Sequence, residues 1–142
     1  MKVKVYIMHS DKINYKEELY KPLLEFGLME KFNLIFPMSQ RYINCYIKDL
    51  LNETDVIICD LTNKNFFLNK EIEMANKLHK KIFYMINNND KKSNKYKLEN
   101  LYKYNNIEEM LNVVNSILNS LNQREILLNK ENIYYLGKIK KE

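Results

Sequence analysis

Glycine, proline, cysteine and tryptophan are all scarce in this chain of 142 residues. The sequence has two glycines, two prolines, two cysteines and no tryptophan. So little glycine and proline excludes a collagen-like or low-complexity chain. Cys45 and Cys59 are too few and too far apart for a paired CxxC zinc site, so we expect neither a disulfide nor a bound metal.

Long hydrophobic runs are also absent. No apolar run reaches the roughly 18 to 20 residues that a membrane helix requires. The apolar residues near the N-terminus give way to His9 and Asp11 without a small-residue cleavage site, which is typical of a first strand and not of a signal peptide. We therefore expect a cytoplasmic protein that has no membrane partner.

Arginine is nearly missing, although the chain is basic. The formal net charge of +5 comes from lysine, because Arg41 and Arg124 are the only arginines. The basic residues are spread along the chain, whereas nucleic-acid-binding proteins usually concentrate them on one stripe. We expect no specific nucleic-acid partner.

Five short apolar segments alternate with helical patterns along the chain. Strands are expected at residues 2–8, 33–36, 55–60, 81–86 and 101–104. The third segment lacks polar alternation, as expected of a parallel strand that is covered on both faces. This alternation predicts one α/β domain with a doubly wound, five-stranded parallel sheet of order 2-1-3-4-5, flanked by helices.

The helices between these strands carry their own start and stop signals. Pro22 should kink or divide the first helix, and Ser39 can cap the second. The third helix is expected at residues 69–80. The last begins at Asn106, where the sequence Asn-Ile-Glu-Glu has the form of a capping box.

The α/β domain is expected to span residues 1–123. The remaining segment, residues 124–142, is a C-terminal tail with two open interpretations. It packs on the same domain, or it packs on a partner subunit of a homo-oligomer.

In a sheet of this order, ligands bind beyond the carboxyl ends of the strands, where the strand order reverses. By that rule, we expect the ligand site at the loops formed by residues 9–14 and 60–71. Within or beside the first loop, we expect a substrate site formed by four side chains: Tyr6, His9, Ser10 and Tyr15. A purely structural role in the loop is the alternative for His9 and Ser10.

Glu71 shares one helical face with three apolar residues, Met74, Ala75 and Leu78, so its side chain should point inward. Glu73 lies on the other side, four residues before Lys77, which is the spacing of an exposed ion pair. In the first turn of its helix, Glu71 would be kept ionised by the helix dipole, as a nucleophile requires. A glutamate that only stabilises the helix terminus is the alternative.

Asp60 ends the most strongly apolar strand at its carboxyl edge. If the two carboxylates converge, Glu71 could attack a sugar C1 atom while Asp60 orients the sugar or a catalytic water, as in a two-step retaining mechanism. We therefore predict Glu71 and Asp60 as catalytic residues. A loop or cap role is the alternative for Asp60.

Several of these segments together resemble the nucleoside 2-deoxyribosyltransferase-like family. They are His9-Ser10 and the sequences YKEELYKPL, LIFP, DVIICD and EIEMA, within residues 1–86. The resemblance implies a flavodoxin-like fold and cleavage of the N-glycosidic bond of a nucleoside or nucleotide. It also implies a covalent glycosyl intermediate on a glutamate, which by position is Glu71. We expect no cofactor and no metal.

A second resemblance, to Toll/interleukin-receptor (TIR) domains, rests on residues 8–11 and on the pattern from Phe66 to Glu71. It implies the same fold and hydrolysis of NAD, with Glu71 in the same role. A third alternative is a non-catalytic nucleotide-sensing or protein-interaction module. It is favoured by the lack of glycine before Glu71 and by the Phe66-Phe67 pair, which could be exposed.

Overall fold

A parallel five-stranded sheet forms the centre of the computed structural model, which describes residues 2–37 and 47–130. Its strands are β1 (Val3–Met8), β2 (Phe32–Ile35), β3 (Val56–Asp60), β4 (Ile82–Asn87) and β5 (Leu101–Tyr104). Their order in the sheet is β2-β1-β3-β4-β5, and every pairing is parallel. The predicted α/β, flavodoxin-like arrangement is confirmed, and each strand begins and ends within one residue of the expected position.

The register of the sheet brings the strand ends to one edge. Asp60 lies opposite Met85, and Asn87 lies opposite Tyr104. All five residues of β3 are buried. This burial explains the unbroken apolar pattern, because helices cover a central parallel strand on both faces.

The helices that cover the sheet are α1 (Lys21–Glu25), α2 (Ile47–Glu53), α3 (Phe66–Lys77) and α4 (Ile107–Asn119). A π-helical turn, Lys16–Tyr20, precedes α1, and Pro22 lies in the first turn of α1. Pro22 lacks the N–H group that would bond to a carbonyl of the preceding turn, and the hydrogen-bond spacing changes from π-helical to α-helical next to it. Tyr20 and Lys21 both have right-handed helical dihedral angles, so the helix predicted to be kinked or divided at Pro22 changes type there but is not interrupted.

Side chains from the two faces of the sheet form two core clusters. Val5, Val56 and Ile58 belong to the cluster beneath α1 and α4. Tyr6, Ile57 and Cys59 belong to the cluster beneath α2 and α3. Because successive strand residues point to opposite faces, neighbours in sequence contribute to different clusters.

Helix α3 begins three residues earlier than predicted. Asn65 is its N-cap, and the Asn65 side chain accepts a hydrogen bond from the Leu68 amide at 3.0 Å. An asparagine cap offsets the cost of exposing Phe66, because it satisfies an amide that has no partner in the first turn. The expected range of 69–80 was therefore wrong by one helical turn, and Glu71 lies in the second turn of α3.

The capping box of α4 is confirmed in one half only. The Asn106 side chain accepts from the Glu109 amide at 2.9 Å. Glu109 does not return a bond to the Asn106 amide, as a capping box requires. Its carboxylate accepts instead from the Asn105 amide at 2.8 Å, one residue before the cap.

Residues 123–130 are helical, and within them Ile126 and Leu127 pack against the cluster beneath α1 and α4. Lys130 Nζ lies 3.1 Å from a carboxylate oxygen of Asp55. The rest of the C-terminal tail, the predicted cap at Ser39 and Cys45 lie outside the described residues. Within the described ranges, no helix is long and apolar enough to cross a membrane.

Candidate functional site

Glu71 is buried against the Tyr6 side chain. Helix α3 turns Glu71 toward the sheet together with Leu68 and Ala75, and the Glu71 side chain is only 4% exposed. The Tyr6 hydroxyl, from β1, donates a hydrogen bond to Glu71 Oε2 at 2.7 Å. The predicted inward orientation of Glu71 is confirmed, while a substrate contact by Tyr6 stays a prediction.

Burial controls the ionisation of Glu71. It raises the pKa of the carboxyl from 4.5 to about 7, and the hydrogen bond from Tyr6 acts in the opposite direction. The helix dipole was expected to keep Glu71 ionised, but Glu71 lies in the second turn of α3 and desolvation has the larger effect on its pKa. Near neutral pH, both protonation states are populated.

The predicted ion pair of Glu73 has a different partner. Glu73 is exposed, as expected, but its carboxylate lies 3.7 Å from Lys70 Nζ, which is three residues earlier on α3. The Lys77 pairing was wrong. Both spacings bring side chains together on a helix surface, so the spacing could not select between them.

Asp60, at the end of β3, accepts hydrogen bonds in a separate network. The Tyr104 hydroxyl donates to Asp60 Oδ2 at 2.6 Å. Asp60 Oδ1 accepts from the Thr62 hydroxyl at 2.6 Å and from the Thr62 amide at 3.0 Å. Burial raises the pKa of Asp60 above its ordinary value, and these three donors oppose the shift.

The structure does not bring Glu71 and Asp60 together. Asp60 has the same parity along β3 as Val56 and Ile58, so it points toward α1 and α4. Glu71 bonds to Tyr6, which points toward α2 and α3. The two carboxyls therefore lie on opposite faces of the sheet, and the arrangement in which they act on one sugar is not formed.

His9 and Tyr15 lie on the Asp60 side of the sheet. His9 Nδ1 donates to the Ser10 carbonyl at 2.9 Å, and the Tyr20 hydroxyl donates to His9 Nε2. The Tyr15 ring stacks on the His9 ring, with centroids 4.8 Å apart. Burial lowers the pKa of His9, which fits a neutral ring held between one acceptor and one donor.

Ser10 is fully buried, and its hydroxyl oxygen accepts a hydrogen bond from the Lys12 amide at 3.0 Å. The polar groups of His9 and Ser10 thus hold the loop after β1 in place. These contacts match the structural alternative for the two residues, while a ligand contact remains a prediction.

A cleft of about 600 Å³ opens above Asp60. We call it the Asp60 cleft; besides Asp60, the residues around it include Glu18, Thr62, Tyr104 and four asparagines, Asn87, Asn89, Asn105 and Asn106. Tyr104 and Thr62 were missed at the sequence level. The position of Tyr104 at the carboxyl end of β5, and that of Thr62 two residues after Asp60, could have indicated a place at this site.

Within the described parts of the chain, no group of three or more His, Cys, Asp or Glu side chains is arranged to hold a metal ion. Cys59 is buried with a free thiol. Burial raises the pKa of this thiol well above its ordinary value, and the nearby Asp60 and Glu71 carboxyls add to the shift. The thiol is therefore protonated and poorly nucleophilic.

Comparison with known proteins assigns this chain to no family. No family model matches this chain, and no curated protein matches it. One similar solved structure is that of a protein from Burkholderia pseudomallei K96243 described as pilus assembly-related. The two share 12% sequence identity with a TM-score of 0.47, over 80% of this chain and 87% of the other. A similarity this low says nothing about activity.

Proposed function

We propose that this protein cleaves the N-glycosidic bond of a nucleoside or nucleotide, with the Glu71 carboxylate as nucleophile. The observation that carries the proposal is the 2.7 Å hydrogen bond from the buried Tyr6 hydroxyl to Glu71 Oε2. A buried glutamate whose hydrogen-bond partner is one tyrosine is held in one orientation, and burial makes its carboxylate more basic. The resemblance to the nucleoside 2-deoxyribosyltransferase-like family supports the same role.

The ionisation of Glu71 suits this chemistry. A pKa of about 7 leaves a substantial fraction of the carboxylate ionised at neutral pH, and that carboxylate is more basic than an exposed one. Within the described residues, Oε2 accepts the Tyr6 hydrogen bond and Oε1 carries no second bond. Oε1 is therefore the oxygen that would attack.

The reaction is a double displacement. Glu71 Oε1 forms a bond to the sugar C1 atom while the bond from C1 to the base nitrogen breaks, and the electron pair leaves with the base, which takes a proton from solvent. A water or a second base then attacks C1 and releases Glu71. Asp60 has no part in these steps, because it lies across the sheet from Glu71.

The experiment is base release from a panel of nucleosides, deoxynucleotides and NAD, resolved by chromatography. Wild-type protein is compared with Glu71→Gln, and Glu73→Gln is the matched control because Glu73 is an exposed glutamate on the same helix. We expect release by the wild type and by Glu73→Gln, and loss of release in Glu71→Gln. A glycosyl adduct on the Glu71 peptide, detected by mass spectrometry after acid quench, would identify the intermediate.

The panel also separates the alternatives. Release from NAD alone would favour the TIR-like hydrolase over the transferase-like enzyme. Release that persists in Glu71→Gln would contradict the assigned nucleophile. Absence of release from every compound would contradict glycosidic cleavage altogether.

A non-catalytic nucleotide-sensing or protein-interaction module is the second candidate. It is favoured by the start of α3, where the Phe66 side chain is 76% exposed and the Phe67 side chain 39%. Adjacent exposed aromatics are a common feature of interaction surfaces. Binding of a nucleotide without turnover, unchanged in Glu71→Gln, would support this candidate.

A further inference from the structure

A second cleft lies at the carboxyl edge of the sheet, beyond the ends of β1, β3 and β4. It has a volume of about 560 Å³, and four lysines line it: Lys12, Lys64, Lys91 and Lys92. We call it the lysine cleft. Neither Glu71 nor Tyr6 belongs to its lining, so its role is separate from the proposed glycosidic cleavage.

Hydrogen bonds between the surrounding loops fix the shape of the lysine cleft. Asp90 Oδ2 accepts from the Asn63 amide at 2.7 Å, which joins the loop after β3 to the loop after β4. The Asn65 side chain donates a hydrogen bond to the Asp11 carboxylate, which joins the loop after β1 to the loop after β3. Asn63 itself has a φ of 52°, a left-handed conformation that asparagine tolerates. The three loops are thus ordered before any ligand binds.

The charge of the lysine cleft is strongly positive. Among the described residues, Asp90 is the only carboxylate in its lining, against four lysines. Both Asp90 oxygens are already engaged by backbone amides, of Asn63 at 2.7 Å and of Lys92 at 2.8 Å. Among the described residues, none of the ion pairs within 4.0 Å involves these four lysines. The Lys64 ammonium lies over the Tyr96 ring, and no carboxylate of the described residues neutralises any of the four lysines.

We propose that the lysine cleft binds the phosphate groups of a small molecule that carries two or more phosphates. Lysine ammonium groups are common phosphate ligands, and several lysines around one cleft favour a ligand with several negative charges. The volume matches that of small-molecule sites, and the position matches the edge where such sheets bind ligands. A concave cleft bounded by three ordered loops fits a compact ligand better than an extended nucleic-acid backbone.

The probe is inorganic tripolyphosphate, which carries the charge without a base or a sugar. Its binding to the full chain is measured by isothermal titration calorimetry at about 50 mM salt, where surface charge is only partly screened. We expect saturable binding of one tripolyphosphate per chain, weakened by added salt. The variant Lys64→Gln/Lys91→Gln should bind roughly tenfold more weakly, because each lost ammonium removes a charge-assisted contact.

The matched control is Lys31→Gln/Lys81→Gln. These lysines precede β2 and β4 at the opposite, amino edge of the sheet, and the control makes the same change in net charge. Lys81 lies over the Phe83 ring as Lys64 lies over the Tyr96 ring, so each variant also loses one cation–π contact. The control should bind tripolyphosphate like the wild type.

Three outcomes would overturn the proposal. They are no saturable binding by the wild type, equal losses in the two double variants, and tighter binding of a single-stranded oligonucleotide with the same dependence on Lys64 and Lys91. The last would assign the cleft to nucleic acid. Circular dichroism of both variants checks that each is folded. Base release by Lys64→Gln/Lys91→Gln reports on Glu71 separately, so the two proposals can fail independently.

Discussion

The side chains of Tyr6 and Glu71, which are 65 residues apart in the sequence, meet in a buried hydrogen bond of 2.7 Å between β1 and α3. Tyr6 is fully buried and Glu71 nearly so. Burial at this contact raises the pKa of Glu71 to about 7, and the Tyr6 hydroxyl at the same contact opposes the shift. Several measurable properties of the protein depend on it.

Replacing Tyr6 by phenylalanine should raise the pKa of Glu71 above about 7, because the hydroxyl stabilises the carboxylate and burial is left unopposed. The variant should also lose roughly 1 to 3 kcal/mol of stability from the unpaired buried carboxyl. Carboxyl ¹³C chemical shifts, followed against pH by NMR, measure the pKa. Tyr102→Phe removes a hydroxyl elsewhere in the sheet and serves as the control. An unchanged pKa in Tyr6→Phe would show that the contact does not form in solution.

The stability of the protein should depend on pH through Glu71. Its pKa is 4.5 in the unfolded chain and about 7 in the folded one, so the folded state binds more protons between these values. The contribution of Glu71 therefore becomes less favourable as pH rises from about 4.5 to 7 and is constant above. The full change is roughly 3 kcal/mol.

Urea unfolding of the wild type and of Glu71→Gln at several pH values isolates this contribution, because other titrating groups are common to both proteins. The free energy of unfolding of the variant, relative to the wild type, should increase through this pH range. A difference that does not vary with pH would mean that the Glu71 pKa is ordinary.

The substitution Asp60→Asn should lower the free energy of unfolding and leave the rate of base release nearly unchanged. In asparagine one of the two carboxylate oxygens becomes an amide nitrogen, which accepts no hydrogen bond. At least one of the three donors from Thr62 and Tyr104 therefore loses its acceptor, and a loss of roughly 1 to 3 kcal/mol is expected. Base release per folded molecule should stay within a few-fold of the wild type, because Asp60 lies on the face away from Glu71. Asp49→Asn, at an exposed position, is the control. Loss of base release in a folded Asp60→Asn would restore Asp60 as a catalytic residue.

Asn106→Ala should destabilise the protein by about 1 kcal/mol, because the amide of Glu109 loses the side chain that caps α4. Asn112→Ala, at an exposed position within the same helix, should be neutral or slightly stabilising, since alanine favours the helix interior. Thermal or urea unfolding of both variants measures the difference. Equal effects would contradict the capping role of Asn106.

Local sequence patterns determined the sheet of this protein. Apolar runs bounded by polar loops predicted all five strands within one residue, and the alternation with helices predicted the strand order, because chain crossovers between parallel strands have a fixed hand. Helical spacing also turned Glu71 inward correctly. These features follow from burial, and the pattern of apolar and polar residues along the sequence indicates which positions are buried.

Contacts between distant segments were decided by the tertiary structure alone. Helix spacing did not predict that Glu71 would bond to Tyr6, and the position of Asp60 at a strand end did not reveal which face it would take. Helix α3 starts at Phe66 because the Asn65 side chain caps it there. This start leaves two phenylalanines exposed, a cost that the spacing of apolar residues did not predict. A periodic pattern fixes which side of its own element a residue occupies. Only the packing of the elements decides which side chain lies across from it, because that contact depends on two segments at once.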